Sequence, residues 1–184
     1  MHLLLTLLFG YTVSAAAPIL TSPYVQPDAW VPKAKDRLIV DIRNNRGYLI
    51  GLDGFYTSFP VGTGQRRTVR YIGKVYNAAT PRARWTIQSL EYKQGDRATY
   101  GNTGRFFRLN HEQWGRTQYG IHATSNIEEI LAKDNRYASM GCILVSDDIL
   151  TILEQSLALH DSGMQVITVD DVDIDAISMG ILEL

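Results

Sequence analysis

The chain has 184 residues, of which 45% are hydrophobic and 20% are charged. This length suits one domain with a sizeable core and is short for two, and the composition excludes wholesale disorder. The formal net charge of -1 gives no overall attraction to nucleic acid or to anionic membranes. We therefore expect neither a nucleic-acid partner nor stable membrane insertion.

The N-terminus is typical of an export signal. Residues 3–13 form a mostly apolar run, and Ser14 to Ala17 supply small residues for cleavage. The run is shorter than the roughly 20 residues that cross a bilayer. These features predict a signal peptide over residues 1–16 and an exported protein of the periplasm or cell envelope. The structural alternative is a buried N-terminal strand or helix.

Residues 17–35 contain four prolines, which predicts an extended leader that wraps or tethers the domain. A hairpin is predicted next, with strands over residues 37–42 and 48–50 around the turn at residues 44–47. Further strands are predicted over residues 55–61, 85–90, 105–109 and 166–169. The cationic residues 65–84 are either a rim for an acidic ligand or a solvated loop.

Two helices are indicated. A capping-box pattern at Ser125 to Glu128 predicts a short helix through about Lys133. Apolar residues at helical spacing predict a second helix that begins at Ser146 or Asp147 and ends near Gly163. The acidic segment 171–184 is expected to be a C-terminal tail. The fold class is thus mostly β with one or two short helices, in a single domain over residues 36–170.

Cys142 is the only cysteine and cannot form an internal disulfide. In an oxidising compartment such a thiol is either reactive or a small buried hydrophobe. A thiol attacks carbonyls as thiolate, and the imidazole of His122 could take its proton, leaving an ion pair with the thiol pKa well below about 8.5. Gly141 would let a substrate carbonyl approach the backbone amides around Cys142.

A short gap separates Tyr119-Gly120-Ile121-His122 from Ser139-Met140-Gly141-Cys142. This order resembles the signature of L,D-transpeptidases of the YkuD type, in which a histidine is followed by Ser/Thr-His-Gly-Cys. The flanks resemble the family too: the hairpin at residues 37–50, the segment at residues 59–64, and Thr80-Pro81 before Trp85. The likeness covers roughly residues 36–170.

The resemblance implies an L,D-transpeptidase catalytic fold in which Cys142 is the nucleophile and His122 its base. It also implies that the backbone carbonyl of Ala123 orients the imidazole. Family members cleave peptidoglycan stem tetrapeptides before the terminal D-alanine. They pass the acyl group to an amine, in crosslinking or protein attachment, or to water. The implied partners are stem peptides, with an outer-envelope protein as one acyl acceptor, and the sequence does not choose between these acceptors.

Three positions depart from the family pattern. Met140 stands where a second histidine is usual, Leu144 where Arg or Asn is common, and Ala123 where glycine is frequent. Met140 and Leu144 motivate an alternative, a catalytically weakened peptidoglycan-binding protein of the same fold. An unrelated β protein with a packed cysteine is a third hypothesis.

The remaining candidates carry weaker signals. Ser139 either orients the loop or forms hydrogen bonds within the site. Tyr119, Trp114 and Met140 are candidates for substrate contact, although core packing explains most such residues. No metal or cofactor is expected, because a single Cys with scattered His lacks ligand spacing.

Overall fold

The computed structural model of the protein describes residues 22–71 and 73–182. The predicted signal peptide over residues 1–16 and the first residues of the leader lie outside these ranges. Within them, no helix combines the length and the apolar content that a bilayer crossing requires.

The described residues form twelve strands and four α-helices. The strands are β1 (Arg37–Asp41), β2 (Arg46–Ile50), β3 (Tyr56–Pro60), β4 (Thr63–Gly64), β5 (Thr68–Tyr71), β6 (Lys74–Asn77), β7 (Ala83–Tyr92), β8 (Arg105–His111), β9 (Gly115–His122), β10 (Tyr137–Ser139), β11 (Ile143–Leu144) and β12 (Met164–Val169). The helices are α1 (Arg97–Tyr100), α2 (Ile127–Leu131), α3 (Asp147–Ala158) and α4 (Ile174–Ser178).

Eight strands form one sheet in the order β11-β9-β8-β7-β12-β1-β2-β3. The centre is apolar: Leu38, Ile39 and Val40 of β1 are all buried, as expected for a strand that is covered on both faces. The two edges of the sheet meet, because Gly62, just after β3, exchanges two 2.8 Å backbone hydrogen bonds with Leu144 of β11. The sheet is therefore curled, and its closing seam lies next to Cys142.

The main core fills the inside of the curled sheet. Helix α3 contributes Ile149, Leu150 and Leu153 to this core, and Ser146 caps it by accepting the Ile149 amide at 3.4 Å. On the outer face, Ile177 of α4 packs with buried isoleucines of β1 and β2. Both faces of the central strands are thus removed from water.

The mostly β fold is confirmed, and the expected number of helices is too low. Helices α1 and α4 were not predicted, because four or five residues are too few to show a periodic apolar pattern. Asp96 and Asp173 cap them through their side chains. Helix α4 lies within the segment that was expected to be a tail. Helix α2 is confirmed, but its cap residue Asn126 makes no side-chain capping bond, so the capping box is wrong.

The described part of the leader packs on the domain. Tyr24 forms a parallel bridge with Tyr56 of β3. Trp30 is buried, and its indole nitrogen donates to the carboxylate of Asp36 at 3.2 Å. The leader is therefore joined to the sheet by backbone and side-chain contacts, and the cationic segment that follows β4 contains the β5–β6 hairpin rather than only a loop.

Candidate active site

His122 and Cys142 are brought together by two neighbouring strands. His122 ends β9, and Cys142 immediately precedes β11, which pairs with β9 in parallel with Leu144 opposite His122. The amide of Val145 donates to the His122 carbonyl at 3.1 Å. Both residues therefore lie at the closing seam of the sheet.

The loop that carries Cys142 is held by Ser139. The Ser139 hydroxyl donates a 2.6 Å hydrogen bond to the Cys142 carbonyl and accepts the Gly141 amide at 3.1 Å. Ser139 is buried, and all of these contacts are within the loop. Of the two roles open to Ser139, this geometry favours loop orientation.

Gly141 adopts a backbone conformation that disfavours other residues. Its φ is 117°, and a Cβ there would lie 2.6 Å from Cε1 of Tyr119. Its carbonyl accepts a 3.0 Å hydrogen bond from the buried hydroxyl of Thr80. Glycine is therefore required both by the dihedral angle and by the close approach of the tyrosine ring.

The imidazole of His122 is fixed from several sides. Its Nδ1 lies 2.7 Å from the Ala123 carbonyl, so Nδ1 donates and Nε2 carries the lone pair. Phe106 stacks on the ring at 5.6 Å, and Gly120 leaves space for Phe106, since a Cβ would lie 2.2 Å from it. Tyr100 covers the ring, with the two ring centroids 5.2 Å apart.

Burial lowers the pKa of His122, although hydrogen bonds to the carbonyls of Ala123 and Thr99 act in the opposite direction.

The Cys142 thiol faces the backbone of β9. Its Sγ lies 3.9 Å from the Gln118 carbonyl, which accepts the thiol proton. Burial raises the pKa of Cys142 to about 11, against the lowering effects of the Gly120 amide and the Arg108 charge. Among the contacts of the described residues there is no hydrogen bond from this thiol to His122.

This arrangement differs from the ion pair expected from the sequence. Burial raises the pKa of the thiol and lowers that of the imidazole, so it favours the neutral form of both groups. The expectation of a strongly lowered thiol pKa is therefore wrong, because desolvation outweighs the nearby donors.

A cluster of charges lies next to the thiol on β7, β8 and β9. Arg108 is buried and forms a bidentate pair with Glu91, at 2.5 and 2.8 Å. Lys93 and Arg116 bind the same carboxylate at 2.6 and 2.8 Å. The hydrogen bond from Arg108 is the largest cause of a strongly lowered Glu91 pKa. Sequence analysis missed this cluster, because its members are scattered along the chain.

Three tyrosine side chains lie near enough to the thiol to feel its charge. Burial, followed by the charge that Cys142 carries as a thiolate, raises the pKa of Tyr76 and Tyr100. Burial also raises the pKa of Tyr119, with smaller contributions from Tyr76 and Cys142. Tyr76 belongs to the β5–β6 hairpin, so a residue of this hairpin is close enough to the thiol for their charges to interact. Only Tyr119 was a candidate from the sequence, since no motif surrounds the others.

The remaining sequence candidates differ in their burial and in their contacts. Met140 is half-buried, and its sulfur accepts from the Gln65 amide at 3.9 Å. Leu144 is buried at the seam, so it does not present its side chain to a ligand. Trp114 is 55% exposed and stacks on His111 at 3.9 Å. It is separated from Tyr119 by the ring of Trp85.

An open groove of about 880 Å³ lies over β7, β8 and β12, and Arg116 lines it. A smaller cavity of about 240 Å³ lies beside Thr80. Cys142 does not line either of them. Within residues 22–71 and 73–182, no cluster of three or more His, Cys, Asp or Glu side chains could hold a metal ion.

Comparison with known proteins identifies the family. The profile of the YkuD family, described as the L,D-transpeptidase catalytic domain, matches residues 35–170. No curated protein sequence matches the chain. Among solved structures, the L,D-transpeptidase from Xylanimonas cellulosilytica is similar with 18% identity, a TM-score of 0.51 and coverage of 74% of this chain and 61% of that one.

A second similar structure is Bd1075 from Bdellovibrio bacteriovorus, with 16% identity, a TM-score of 0.53 and coverage of 81% of this chain and 55% of that one. The chain thus spans about three fifths of the first structure's length and just over half of the second's. At these identities the two structures bear on the fold alone, and the family profile covers most of the chain. The chain belongs to the L,D-transpeptidase catalytic domain (YkuD) family.

Proposed function

We propose that the protein is an exported cysteine acyltransferase that acts on peptidoglycan stem tetrapeptides, with Cys142 as nucleophile and His122 as base. The observation that carries this proposal is the fixed imidazole of His122. Its Nδ1 donates to the Ala123 carbonyl at 2.7 Å, which places the lone pair on Nε2, and His122 lies at the same end of β9 as the Cys142 loop. A base with one nitrogen fixed and the lone pair on the other is the arrangement that a thiol nucleophile needs.

In the acylation step, Nε2 of His122 takes the thiol proton as Sγ of Cys142 attacks the carbonyl of the third stem residue. A carbon–sulfur bond forms, and the carbonyl oxygen becomes an oxyanion. When the oxyanion collapses, the bond to the terminal D-alanine nitrogen breaks, and the imidazolium returns the proton to that leaving amine. The product is a thioester on Cys142 and free D-alanine, so atoms and charges balance.

In the second step an acceptor attacks the thioester. An amine or water loses its proton to His122 as it attacks, and the thiol is regenerated. An amine acceptor gives a crosslink or attaches a protein, such as an outer-envelope protein, and water gives a trimmed tripeptide. The backbone amides around Cys142 are the candidate donors to the oxyanion in both steps.

The pKa directions of the Cys142 thiol and the His122 imidazole determine at which point of the reaction the thiolate forms. Because burial raises the thiol pKa and lowers that of the imidazole, proton transfer accompanies attack on the bound carbonyl rather than preceding it. The charge of Arg108 lowers the thiol pKa and would favour the thiolate as it forms. An unreactive resting thiol also suits an exported protein, since it resists oxidation.

The test uses the mature protein and tetrapeptide-containing muropeptides, with products read by mass spectrometry. Loss of the terminal D-alanine together with a new crosslink or a tripeptide is the expected result, and it identifies the acceptor. A carbapenem should add once per chain, because its β-lactam carbonyl is an acyl donor. Full activity and full labelling in a Cys142→Ala variant would overturn the proposal.

A catalytically weakened peptidoglycan-binding protein is the second candidate. It is favoured by the thiol contact with the Gln118 carbonyl at 3.9 Å and by Met140 next to the nucleophile. This candidate predicts that muropeptides bind to the protein and are released unchanged over hours. The same mass-spectrometry experiment separates the two candidates.

A further inference from the structure

The segment that contains the β5–β6 hairpin carries charge of one sign. Residues 65–84 hold six of the 18 Lys and Arg side chains of the chain and none of its 19 Asp and Glu side chains. Because the chain as a whole has a net charge of -1, this segment is a local concentration of positive charge. Such a surface attracts anionic partners, and salt weakens the attraction.

Part of this charge is used within the protein, and part of it is not. Arg82 pairs with Asp170, and Arg66 donates to a backbone carbonyl at 2.7 Å. Arg70 and Lys74 are exposed side chains of the hairpin. Across residues 22–71 and 73–182, neither of these two forms an ion pair or a side-chain hydrogen bond. Their charges are therefore available to a ligand.

The register of the hairpin decides which way Lys74 faces. Lys74 lies opposite Tyr71, and Val69 lies opposite Tyr76. Opposed residues share a face of a sheet, as do alternate residues along a strand, so these four side chains lie on one face. Val69 and Tyr76 are half-buried, and the charge of the Cys142 thiolate adds to burial in raising the pKa of Tyr76. Lys74 therefore lies on the face that the hairpin turns toward the site.

The hairpin also offers apolar and main-chain contacts. Tyr71 is 52% exposed and Val75 is 58% exposed. Among the described strands, β5 and β6 pair only with each other, so an extended chain can add to an outer edge through main-chain hydrogen bonds. A phosphate polymer would use the cations alone, whereas a polypeptide with acidic side chains uses the cations, the apolar side chains and the edge. The surface therefore favours an acidic polypeptide.

We propose that the β5–β6 hairpin binds an acidic segment of a partner protein, and that an amine next to this segment is the acyl acceptor. This inference rests on the proposed function, in which Cys142 holds the acyl group as a thioester. The amine attacks the thioester carbonyl, and a carbon–nitrogen bond replaces the carbon–sulfur bond. The proton that the amine loses passes through His122 to the thiolate. The partner is thereby joined to the stem peptide by an amide bond.

Acidic neighbours give the acceptor amine both affinity and reactivity. A primary amine is cationic at neutral pH, so Arg70 and Lys74 repel it. The same repulsion lowers the pKa of the amine and favours its neutral, nucleophilic form. Acidic side chains beside the amine supply the attraction that the amine itself lacks. The hairpin would therefore select an acceptor by the residues that flank its amine.

The experiment compares two acceptor peptides, each with a blocked N-terminus and a single lysine. Four glutamates flank the lysine in one peptide, and four glutamines flank it in the other. Both are offered together with a donor tetrapeptide, and the two amide products are quantified by mass spectrometry. The ratio of acidic to neutral product is measured for the native protein and for the Arg70→Gln, Lys74→Gln and Lys35→Gln variants. A change in the donor half of the reaction cancels in this ratio.

Lys35→Gln is the matched control, because it also removes one exposed charge. Lys35 precedes β1, whereas Ile42, whose carbonyl accepts the Arg66 side chain, follows β1. A strand of this length separates the two positions by about 20 Å, which is beyond the screening length of roughly 10 Å at 0.1 M salt.

At low salt the native protein should form the acidic product about tenfold faster, because two exposed ion pairs of about threefold each multiply. Arg70→Gln and Lys74→Gln should each lower the ratio to about threefold, and Lys35→Gln should keep the native ratio. At about 0.5 M salt the native ratio should fall toward one. A ratio near one at low salt, an unchanged ratio in both hairpin variants, or an equal loss in Lys35→Gln would overturn the inference.

Fluorescence anisotropy separates a polypeptide ligand from a phosphate polymer. The acidic peptide should bind about threefold more weakly to a Tyr71→Ser variant, because its apolar contact is lost. Polyphosphate of equal charge should bind the native protein and this variant alike. Peptide affinity that is unchanged in Tyr71→Ser, with tighter binding of polyphosphate, would assign the hairpin to phosphate polymers and end the proposal.

Failure of the proposed function gives a different result. In that case no D-alanine is released from the donor and no carbapenem adduct forms. The docking of an acidic segment stays testable even then, because anisotropy with the Cys142→Ala variant measures the preference between the two peptides as a ratio of Kd values. A ratio near one in that titration would show that the hairpin does not select acidic segments.

Discussion

The hydroxyl of Thr80 donates a 3.0 Å hydrogen bond to the carbonyl of Gly141, and the same oxygen accepts the amide of Gly64 at 2.8 Å. Gly64 lies in β4, which pairs with β10 just before the reactive loop. One buried side chain therefore fixes the position of the loop that carries Cys142 against the strand that leads into the β5–β6 hairpin.

Replacing Thr80 by Val should disorder this loop. The change leaves a buried amide and a buried carbonyl without their partner, which we expect to lower the free energy of unfolding by about 2 kcal/mol. Acylation by a carbapenem should slow by roughly 10²-fold, because the nucleophile is no longer held in place. A Thr151→Val variant in α3 is the control and should acylate at the native rate. Native acylation in Thr80→Val would show that the loop is held by other contacts.

Gly141→Ala should be more damaging than an alanine at another glycine of positive φ. Both the φ of 117° and the 2.6 Å approach to Tyr119 oppose a side chain there. At Gly95 the φ is also positive, but no atom lies within 4 Å of a built Cβ, so Gly95→Ala should cost only about 1 kcal/mol. Thermal unfolding and carbapenem labelling of the two variants test this. Equal effects would mean that the tyrosine ring moves aside freely.

The pH dependence of thiol alkylation should reflect the raised pKa of Cys142. With a pKa of about 11, the iodoacetamide rate should rise about tenfold per pH unit from pH 7 to pH 10 without levelling off. The urea-unfolded protein is the control and should level off above about pH 8.5. A plateau at or below pH 8 in the folded protein would instead support a resting thiolate–imidazolium pair.

The His122→Ala variant should separate the effect of the imidazole on the thiol pKa from its role as the base in acylation. Because the resting imidazole is neutral, its removal should change the alkylation profile by no more than about twofold. Carbapenem acylation at neutral pH should fall by roughly 10²-fold or more, the usual effect of losing a positioned base. His111→Ala and His160→Ala are controls and should affect neither rate. Native acylation in His122→Ala would end its assignment as base.

Glu91→Gln should destabilise the fold, because buried Arg108 then loses its bidentate partner. The unpaired charge should cost about 2 kcal/mol, less than for a fully buried pair because Glu91 keeps some exposure. The pKa of Glu91 is lowered in the folded state, so its contribution is fully present above the unfolded value of about 4.3 and is lost progressively as the pH falls from there through the folded-state value. Urea unfolding at pH 7 and pH 3 tests both points.

The native protein should have a higher free energy of unfolding than the Glu91→Gln variant at pH 7, and this difference should be smaller at pH 3. Glu129→Gln is the control, because the pair that Glu129 forms with Lys133 is exposed on both sides, and it should leave both unfolding midpoints unchanged. A difference in the free energy of unfolding that is larger at pH 3 than at pH 7 would contradict the lowered pKa of Glu91.

Several features were predictable from the sequence because they depend on local pattern or on residue identity. The β-branched run of β1 indicates a strand, and the apolar spacing of α3 indicates which face of that helix is buried. The sequence nominates Cys142 as a nucleophile because it is the only cysteine, and it nominates His122 as a base because this residue lies within a recognisable motif. The short helices α1 and α4 could not, since they have too few residues to show a period.

The tertiary structure decided what depends on distance between residues far apart in the sequence. Closure of the sheet through Gly62 and Leu144 placed Leu144, one of the departures from the family pattern, in a buried seam. The charge cluster around Glu91 and the tyrosines near the thiol are assembled from separate elements. The resting protonation state follows from burial, and burial is a property of the packed chain that a residue's identity and neighbours in sequence do not determine.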